Sequence, residues 1–376
     1  FEEELTGPEY VQRFINQVKD LEIPYELETM VIEVTADKTL YAINNRRGLI
    51  EIKAKAIILA MGCRERTRGA INMPGFRPAG IYTAGQAQRF VNIEGYLPGR
   101  SYVILGSGDI GMIMARRLTW EGCQVKAVIE IQPYVSGLLR NQVQCLEDYG
   151  IPLITSYTVT KIHGRDRVKG VTISKVDRNF DRVIGSEKFI ECDTLLLSVG
   201  LIPENELTRQ AGAKIAEMGG PIVDNNLETT IEGLFACGNV LQVHDLVDLV
   251  TAEAKRAGLN AIDYIKNRYG KKIKKEEKIK CIAGENVSYV KPDLINRSNL
   301  NKDVIFTFRV RNPDRRLLIQ FKDDKNRILY KKKRRYVIPS EMIEINLNLN
   351  AINIDPTTKY IEIEVIPRPE VLIEED

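Results

Sequence analysis

One glycine-rich segment of the chain has the residue types and spacing that bind the phosphates of a dinucleotide. The segment lies between an apolar run at residues 101–105 and a helical pattern from Met112 to Trp120, and it consists of Gly106, Ser107, Gly108, Asp109, Ile110 and Gly111. The first glycine permits a tight turn, the second lets a pyrophosphate approach the backbone, and the third lets helix and strand pack closely. The first turn of the helix offers unpaired N–H groups to phosphate oxygens. We therefore predict a dinucleotide site here, and the simpler alternative is a structural glycine turn.

An acidic residue ends the next predicted strand. This strand starts at Val125 and finishes with Glu130, which stands 19 residues after Gly111. A carboxylate at this position hydrogen-bonds the adenosine ribose hydroxyls and repels a 2′-phosphate. The sequence therefore predicts a preference for NADH over NADPH.

Three further apolar strands each end at a break made of small residues. The breaks are Ala60, Met61 and Gly62 after the first strand, Ser198, Val199 and Gly200 after the second, and Ala236, Cys237, Gly238 and Asn239 after the third. Each break alone indicates only a buried strand that emerges at a tight turn. Spaced around the glycine-rich unit, the three breaks resemble those of the thioredoxin-reductase-like flavoproteins of the class II pyridine nucleotide–disulfide oxidoreductase superfamily. The resemblance covers about residues 8–270.

This resemblance implies two cofactors, FAD and NADH, and two Rossmann-like domains, with the NAD domain inserted in the FAD domain. It puts the NAD next to the 106–111 loop, Glu130 and Gly200, and it puts the FAD next to Met30, Val31, Ala60, Met61, Gly62, Gly238, Asn239, Val250 and Thr251. Asn239 stands where the family's second FAD motif ends in an acid, and its amide can still hydrogen-bond a hydroxyl. The helix that begins near Val250 is expected to direct its positive end at the flavin C2 carbonyl.

Residues 61–66, 73–75 and 78–88 narrow the resemblance to flavoprotein subunits of amine and amino-acid dehydrogenase complexes, such as hydrogen cyanide synthase and the sarcosine and opine oxidases. Closer still are oxidoreductases that accompany a glycerol-3-phosphate-dehydrogenase-like flavoprotein, which implies a partner subunit of that kind and a homo- or hetero-oligomer. The expected function is hydride transfer between NADH and FAD, with electrons exchanged with a partner protein or a small acceptor. The alternative is a non-catalytic NAD-binding and docking subunit of a larger dehydrogenase complex. Hydride transfer needs no acid or base, so no catalytic side chain is assigned.

Two features of the family are missing from the sequence. There is no C-x-x-C pair, so no internal dithiol can relay electrons to a disulfide. The strand–G-x-G-x-x-G–helix unit that holds the FAD pyrophosphate is also missing, and residues 1–10 resemble the segment just beyond it. Either the natural chain starts upstream of Phe1 or strong FAD binding has been lost. We expect the first, and therefore that residues 1–376 alone bind NADH but little FAD.

Three other residues could act near the flavin. Cys63 could face the isoalloxazine or could simply fill a turn. His244 and Asp245 could relay protons or could belong to an ordinary polar loop.

The elements that position these residues predict an α/β fold followed by a small all-β domain. Residues 1–97 and 201–270 are assigned to an FAD-binding domain that lacks its N-terminal part, and residues 98–200 to the NAD-binding domain. The apolar run at 56–60 is expected to be a strand buried on both faces. Helices are expected from Pro8 to Leu21, from Leu138 to Tyr149 and from about Leu249 to Asn267.

A change in composition marks the C-terminal part. A charged linker is expected at residues 271–283, and a small antiparallel β domain at 284–376, where apolar and polar residues alternate. Five consecutive cations, from Lys331 to Arg335, could dock an acidic redox partner or could keep a strand edge from pairing.

Composition excludes several functional classes. The net charge of +3 is small for 376 residues, so it offers no electrostatic argument for nucleic-acid binding. No run of ~18 apolar residues predicts a membrane span. The six cysteines are scattered without zinc-site spacing, which favours reduced thiols and a cytoplasmic location.

Overall fold

The computed structural model of the chain describes residues 3–271, 277–300, 302–352, 354–355 and 357–368. Within these ranges the helices are α1 (Gly7–Asp20), α2 (Ala84–Arg89), α3 (Asp109–Trp120), α4 (Leu139–Cys145), α5 (Glu206–Gln210) and α6 (Val247–Asn267). The first strands are β1 (Thr29–Val34), β2 (Thr39–Asn44), β3 (Gly48–Lys53), β4 (Ile57–Leu59), β5 (Cys63–Glu65), β6 (Ile81–Thr83), β7 (Ser101–Leu105) and β8 (Gln124–Glu130). They are followed by β9 (Leu153–Thr155), β10 (Tyr157–His163), β11 (Gly170–Lys175), β12 (Lys188–Ile190), β13 (Thr194–Leu197), β14 (Leu201–Pro203) and β15 (Leu234–Ala236). The C-terminal strands are β16 (Lys278–Ala283), β17 (Val287–Lys291), β18 (Leu294–Asn296), β19 (Asp303–Val310), β20 (Asp314–Asp323), β21 (Ile328–Val337), β22 (Ile343–Asn348) and β23 (Tyr360–Pro367).

Two separate stretches of chain build the first α/β unit. β4 pairs in parallel with β15, and β5 pairs in antiparallel fashion with β14, so the segments before and after the central sheet share hydrogen-bonded strands. Ile57 and Leu59 pack in the cluster that includes Ala257 of α6. Ile58 points to the other face and is 40% exposed, so the expectation that this strand is buried on both faces is wrong. In the described part of the chain β4 has only β15 beside it, which leaves that face open.

The second α/β unit contains a five-stranded parallel sheet in the order β6-β13-β7-β8-β9. Its strands are continuously apolar because both faces are covered. Ile104 packs on one face with Met112 and Leu118 of α3. Val103 packs on the other face with Val171 of the antiparallel β10–β11–β12 sheet. This arrangement confirms the predicted α/β architecture with a Rossmann-like core.

β6 shifts one expected boundary. Its residues pair in parallel with β13, so Ile81–Thr83 belong to the second unit although they fall within the assigned FAD segment 1–97. Ala87 of α2 also packs in the cluster of the second unit. A three-residue strand carries too little pattern to indicate which sheet it joins, which is why the sequence misplaced it.

Two helices differ from their predicted limits. The long helix α6 begins at Val247, before the expected Leu249, and it ends at Asn267 as expected. α4 stops at Cys145, and a separate 3₁₀ turn covers Glu147–Tyr149 before Gly150 in the left-handed region. No helix in the described ranges is long and apolar enough to cross a lipid bilayer.

The C-terminal part is a β-sandwich, as predicted. A five-stranded sheet in the order β18-β16-β23-β20-β21 faces a three-stranded sheet in the order β17-β19-β22. Phe306, Phe308, Phe321 and Ile345 lie in its core. The expectation of a purely antiparallel domain is wrong at one position, because β16 and β23 pair in parallel.

The charged linker is shorter than predicted. Lys278–Ala283 form β16, whose Ile279 is fully buried, so these residues belong to the sandwich. Residues 272–276 of the predicted linker, like Phe1 and Glu2, lie outside the described residues. The cationic run at 331–335 lies on β21 at the edge of the sheet, which is the strand-edge explanation of its lysines.

Candidate functional site

The glycine-rich loop joins the carboxyl end of β7 to α3, and each of its three glycines meets residues 198–199. A Cβ on Gly106 would lie 2.1 Å from the Ser198 carbonyl oxygen, and one on Gly111 would lie 2.7 Å from the Ser198 Cβ. Gly108 is less crowded, with Ser198 Oγ 3.0 Å from the position of an added Cβ. The third strand break thus packs directly on the loop, and only glycine fits at Gly106 and Gly111.

The first turn of α3 presents donors toward a large cavity. The N–H of Gly111 donates to Ser198 Oγ at 3.1 Å. The N–H groups of Asp109 and Ile110 belong to the same turn, whose donors have no acceptor within the helix. Both residues line the cavity. The Asp109 carboxylate itself faces away from this role, because its Oδ1 accepts from Leu138 N–H at 2.9 Å and holds the start of α4.

Glu130 reaches the loop as predicted, but it is only 2% exposed and its oxygens are already bonded. Oε2 accepts from the Ser107 N–H at 2.9 Å, the Ser107 hydroxyl at 2.6 Å and the Ser136 hydroxyl at 2.8 Å. Oε1 accepts from the Gln132 N–H at 2.8 Å. The carboxylate therefore braces the loop. Ser136, which the sequence did not single out, is part of the same network.

The predicted flavin-side breaks converge at the carboxyl ends of β4 and β15. Gly62 and Gly238 both have positive φ angles, +76° and +71°, which favours glycine at each turn. Asn239 Nδ2 lies 3.6 Å from Cys63 Sγ, so the two breaks touch. The Asn239 Oδ1 accepts from the His244 N–H at 3.0 Å. Burial raises the pKa of the Cys63 thiol, which makes it a weak nucleophile.

The start of α6 lies against the second break. Val250 Cγ1 is 3.3 Å from the position of a Cβ on Gly238, and the Gly238 N–H donates to Glu253 Oε1 at 2.6 Å. Thr251 does not point freely into a flavin site, because its hydroxyl lies 2.6 Å from that of Tyr10 in α1.

The remaining predicted flavin-side residues divide between core and surface. Val31 and Met61 pack against the apolar cluster that also contains Cys237. The Met30 side chain is 71% exposed, and Ala60 is also exposed. The structure therefore brings Met61, Gly62, Gly238, Asn239 and Val250 together more closely than Met30.

A cavity of about 830 Å³ lies between the glycine-rich loop and the sandwich. One wall consists of Gly108–Ile110, a second of Ser198, Gly200 and Leu201, and a third of residues 241–245, which follow Asn239. The fourth wall comes from the C-terminal sandwich, through Tyr289, Lys291, Arg309 and Ser340 among others. No sequence pattern indicated that the sandwich would border this cavity.

Buried polar contacts fasten the sandwich to the loop after Asn239. Arg309 forms an ion pair with Asp245 and donates to the Val243 carbonyl at 3.0 Å. The other Asp245 oxygen accepts from the Met342 N–H at 2.7 Å. Asp245 is therefore a docking residue, and the proton-relay hypothesis does not fit its bonded state.

Three further contacts join the sandwich to neighbouring loops. Lys291 Nζ donates to the Pro221 carbonyl at 2.7 Å and pairs with Asp293 at 2.7 Å. Burial lowers the pKa of Lys291. Gln242 Nε2 donates to the Thr307 hydroxyl at 2.8 Å.

His244 differs from its neighbour. Its side chain is 2% exposed, with Nε2 3.4 Å from Glu253 Oε2. Its Nδ1 is buried without a hydrogen-bond partner among the described residues. A proton-relay role for His244 stays a prediction. All six cysteines are free thiols, and the described residues contain no cluster of His, Cys, Asp and Glu suited to a metal ion.

The donor set fits a dinucleotide: a glycine loop with no room for side chains, first-turn N–H groups and a carboxylate beside them. In the comparisons with known proteins, a family model described as pyridine nucleotide-disulphide oxidoreductase matches residues 2–257. An NADH dehydrogenase of Bacillus subtilis is 25% identical over 270 residues, covering 69% of this chain and 48% of that protein. The hydrogen cyanide synthase subunit HcnB of Pseudomonas protegens is 23% identical over 207 residues, covering 50% of this chain and 43% of that protein. The chain thus spans about half the length of these curated relatives.

Among solved structures, the thioredoxin reductase of T. acidophilum superposes with a TM-score of 0.55 at 22% identity, covering 69% of this chain and 82% of that one. This likeness shows a shared fold. The family match confirms the superfamily that the sequence resembles.

Proposed function

The chain belongs to the pyridine nucleotide-disulphide oxidoreductase family, and from that premise we propose that it is an NADH-dependent FAD flavoprotein oxidoreductase. The observation that carries the proposal is the shared cavity. Gly108–Ile110, at the predicted NAD loop, and residues 241–245, which follow the predicted FAD break, line the same space of about 830 Å³. Two cofactors held at these places would meet in one enclosed volume.

Each wall of the cavity has a part in the proposed reaction. The first turn of α3 binds the NAD pyrophosphate through the N–H groups of Asp109 and Ile110. Glu130 keeps the loop in shape and sets a negative charge near the adenosine ribose. The start of α6, near Val250, directs its positive end at the flavin side of the cavity. When bound, the two cofactors supply the redox chemistry, a hydride passing between nicotinamide C4 and flavin N5.

The sandwich closes the cavity on its fourth side. Its docking contacts, led by the Arg309–Asp245 ion pair, hold Tyr289 and Ser340 at the wall. A fixed wall excludes water from the space in which a hydride would pass.

Partners are proposed on the same basis. The chain has no C-x-x-C pair, so electrons must leave through a partner protein or a small acceptor. The names of relatives such as the subunit HcnB support a complex with a second flavoprotein subunit, glycerol-3-phosphate-dehydrogenase-like in the narrower resemblance. The six free thiols fit a cytoplasmic location.

The competing function is a non-catalytic NAD-binding and docking subunit. To separate the two, the protein is equilibrated with FAD, freed of unbound flavin and titrated with NADH in the absence of oxygen. Our proposal expects bound flavin to lose its oxidised absorbance as NADH is added. NADH binding without any change in bound flavin would favour the docking subunit.

A further inference from the structure

A second cavity, of about 550 Å³, lies at the carboxyl edge of the parallel sheet. Thr83 and Leu197, the last residues of β6 and β13, contribute to its wall. The described residues that line it include two arginines, Arg68 and Arg77, and no acidic residue. The cavity therefore has a positive wall without an internal counter-charge.

Arg68 is held in place by backbone groups. Its Nη2 donates to the Met73 carbonyl at 3.1 Å and to the Gly75 carbonyl at 2.8 Å. Gly75 is itself fixed, because a Cβ there would lie 2.7 Å from the Ile162 backbone nitrogen and its φ of +105° suits glycine. The guanidinium thus sits on a turn that has little freedom to move.

The rest of the Arg68 guanidinium lacks a partner. Nε and Nη1 are buried, and neither has a hydrogen bond to any described residue. Buried charged donors are costly when they are left unpaired. These two N–H positions are therefore suited to an acceptor that comes from outside the chain.

Arg77 adds a second positive charge. Burial, and then the charge of Arg77, lower the pKa of Arg68, so the two guanidinium groups are close enough to repel. Neither forms an ion pair with an acidic residue in the part of the chain that the structure describes. An oxyanion between them would relieve the repulsion and supply the missing acceptors, since guanidinium groups match carboxylate and phosphate geometry.

This cavity is separate from the dinucleotide loop. β13 lies between β6, at this cavity, and β7, which leads into Gly106–Gly111. Glu130, which would mark the adenosine ribose, ends β8 one strand further on. The cavities approach each other at one hydrogen bond, in which the Thr83 hydroxyl of the smaller cavity donates to Glu65 of the larger one.

We propose that the cavity between Arg68 and Arg77 binds a small molecule through a carboxylate or phosphate group, at a site distinct from the NAD loop. Tyr82 and Gln86, also in its wall, provide hydrogen-bonding groups for the remainder of that molecule. The proposal rests on these side chains alone and does not depend on flavin reduction.

The test is isothermal titration calorimetry of the full chain with inorganic phosphate and, separately, with succinate, against sodium chloride at equal ionic strength. Arg77→Gln is the main variant, because Arg77 is exposed and its loss leaves the packing intact. Arg178→Gln, at an exposed turn elsewhere, is the matched control. Arg68→Lys is the second variant, with circular dichroism to establish that it folds.

We expect one of the two probes to bind the wild type and the Arg178 variant equally. Arg77→Gln should weaken that binding about tenfold or more, the factor for losing one charge-assisted hydrogen bond. The preferred probe then identifies the anionic group. The proposal is overturned if neither probe binds, if Arg77→Gln binds as tightly as the wild type, or if NADH displaces the probe, since displacement would place it in the 106–111 loop.

Discussion

Glu130 allows the nucleotide preference and the shape of the loop to be tested with one substitution, Glu130→Gln. The wild-type carboxylate accepts four hydrogen bonds, three at Oε2 and one at Oε1. A glutamine oxygen can replace Oε2, but its NH₂ group would then face the Gln132 N–H. One bond is lost and three become neutral. Since bonds to charged groups contribute ~1.5–3 kcal/mol and neutral ones ~0.5–1.5, we expect a loss of about 3 kcal/mol in the free energy of unfolding.

The same substitution removes a charge that opposes a 2′-phosphate. At a separation of ~6 Å and an effective dielectric constant of ~20, two unit charges repel by about 3 kcal/mol. That energy corresponds to about a hundredfold in affinity. We therefore expect Glu130→Gln to weaken NADH binding through the loosened loop and to raise the NADPH-to-NADH affinity ratio by up to about a hundredfold.

Titration with NADH and NADPH, followed by nucleotide fluorescence, measures both quantities. Ser136→Ala is the matched control, because it removes one of the four bonds and leaves the charge. It should lower both affinities and keep their ratio. If Glu130→Gln also leaves the ratio unchanged, Glu130 is only a brace for the loop and the predicted NADH preference has lost its cause.

Three further predictions concern other parts of the molecule. Gly111→Ala should weaken NADH binding at least tenfold by pushing against the adjacent strand break, whereas Gly258→Ala, in an open helical position, should leave it unchanged, as titration would show. Asp245→Asn leaves Arg309 partly buried without its charge partner and should lower the free energy of unfolding by ~3 kcal/mol or more in urea. Burial raises the pKa of Cys237 to about 11, so the folded state favours its thiol. Its contribution to stability should be present below ~8.5, the usual thiol pKa, and should be lost as pH rises toward 11; rising stability over that interval would contradict this.

The glycine loop and Glu130 could be predicted because strand, turn and helix follow one another within 30 residues. Local spacing of this kind determines where the strand ends and where the acid stands. The partners of Glu130 could not be predicted, since Ser136 lies in an aperiodic loop that only the tertiary fold returns to Ser107. For the same reason the sequence indicated an acid near the ribose but not a carboxylate that is already saturated.

The C-terminal part shows the same limit. Alternation along β19 correctly assigned Arg309 to the polar face of its strand. Nothing in a period of two residues tells that this face is buried against Asp245, which is distant in sequence. The lysines around Ile279 hid a strand inside a run of charge, because composition weighed more than alternation there.

Hydride transfer between NADH and FAD within one cavity is the central claim, and flavin absorbance under anaerobic conditions tests it most directly. The protein equilibrated with FAD is mixed with a stoichiometric amount of NADH, beside the Gly111→Ala and Gly258→Ala variants. We predict that bound flavin is bleached in the wild type and in the Gly258 variant, and that bleaching is lost in the Gly111 variant at the same NADH concentration. Flavin that stays oxidised in the wild type while NADH is bound would contradict the claim.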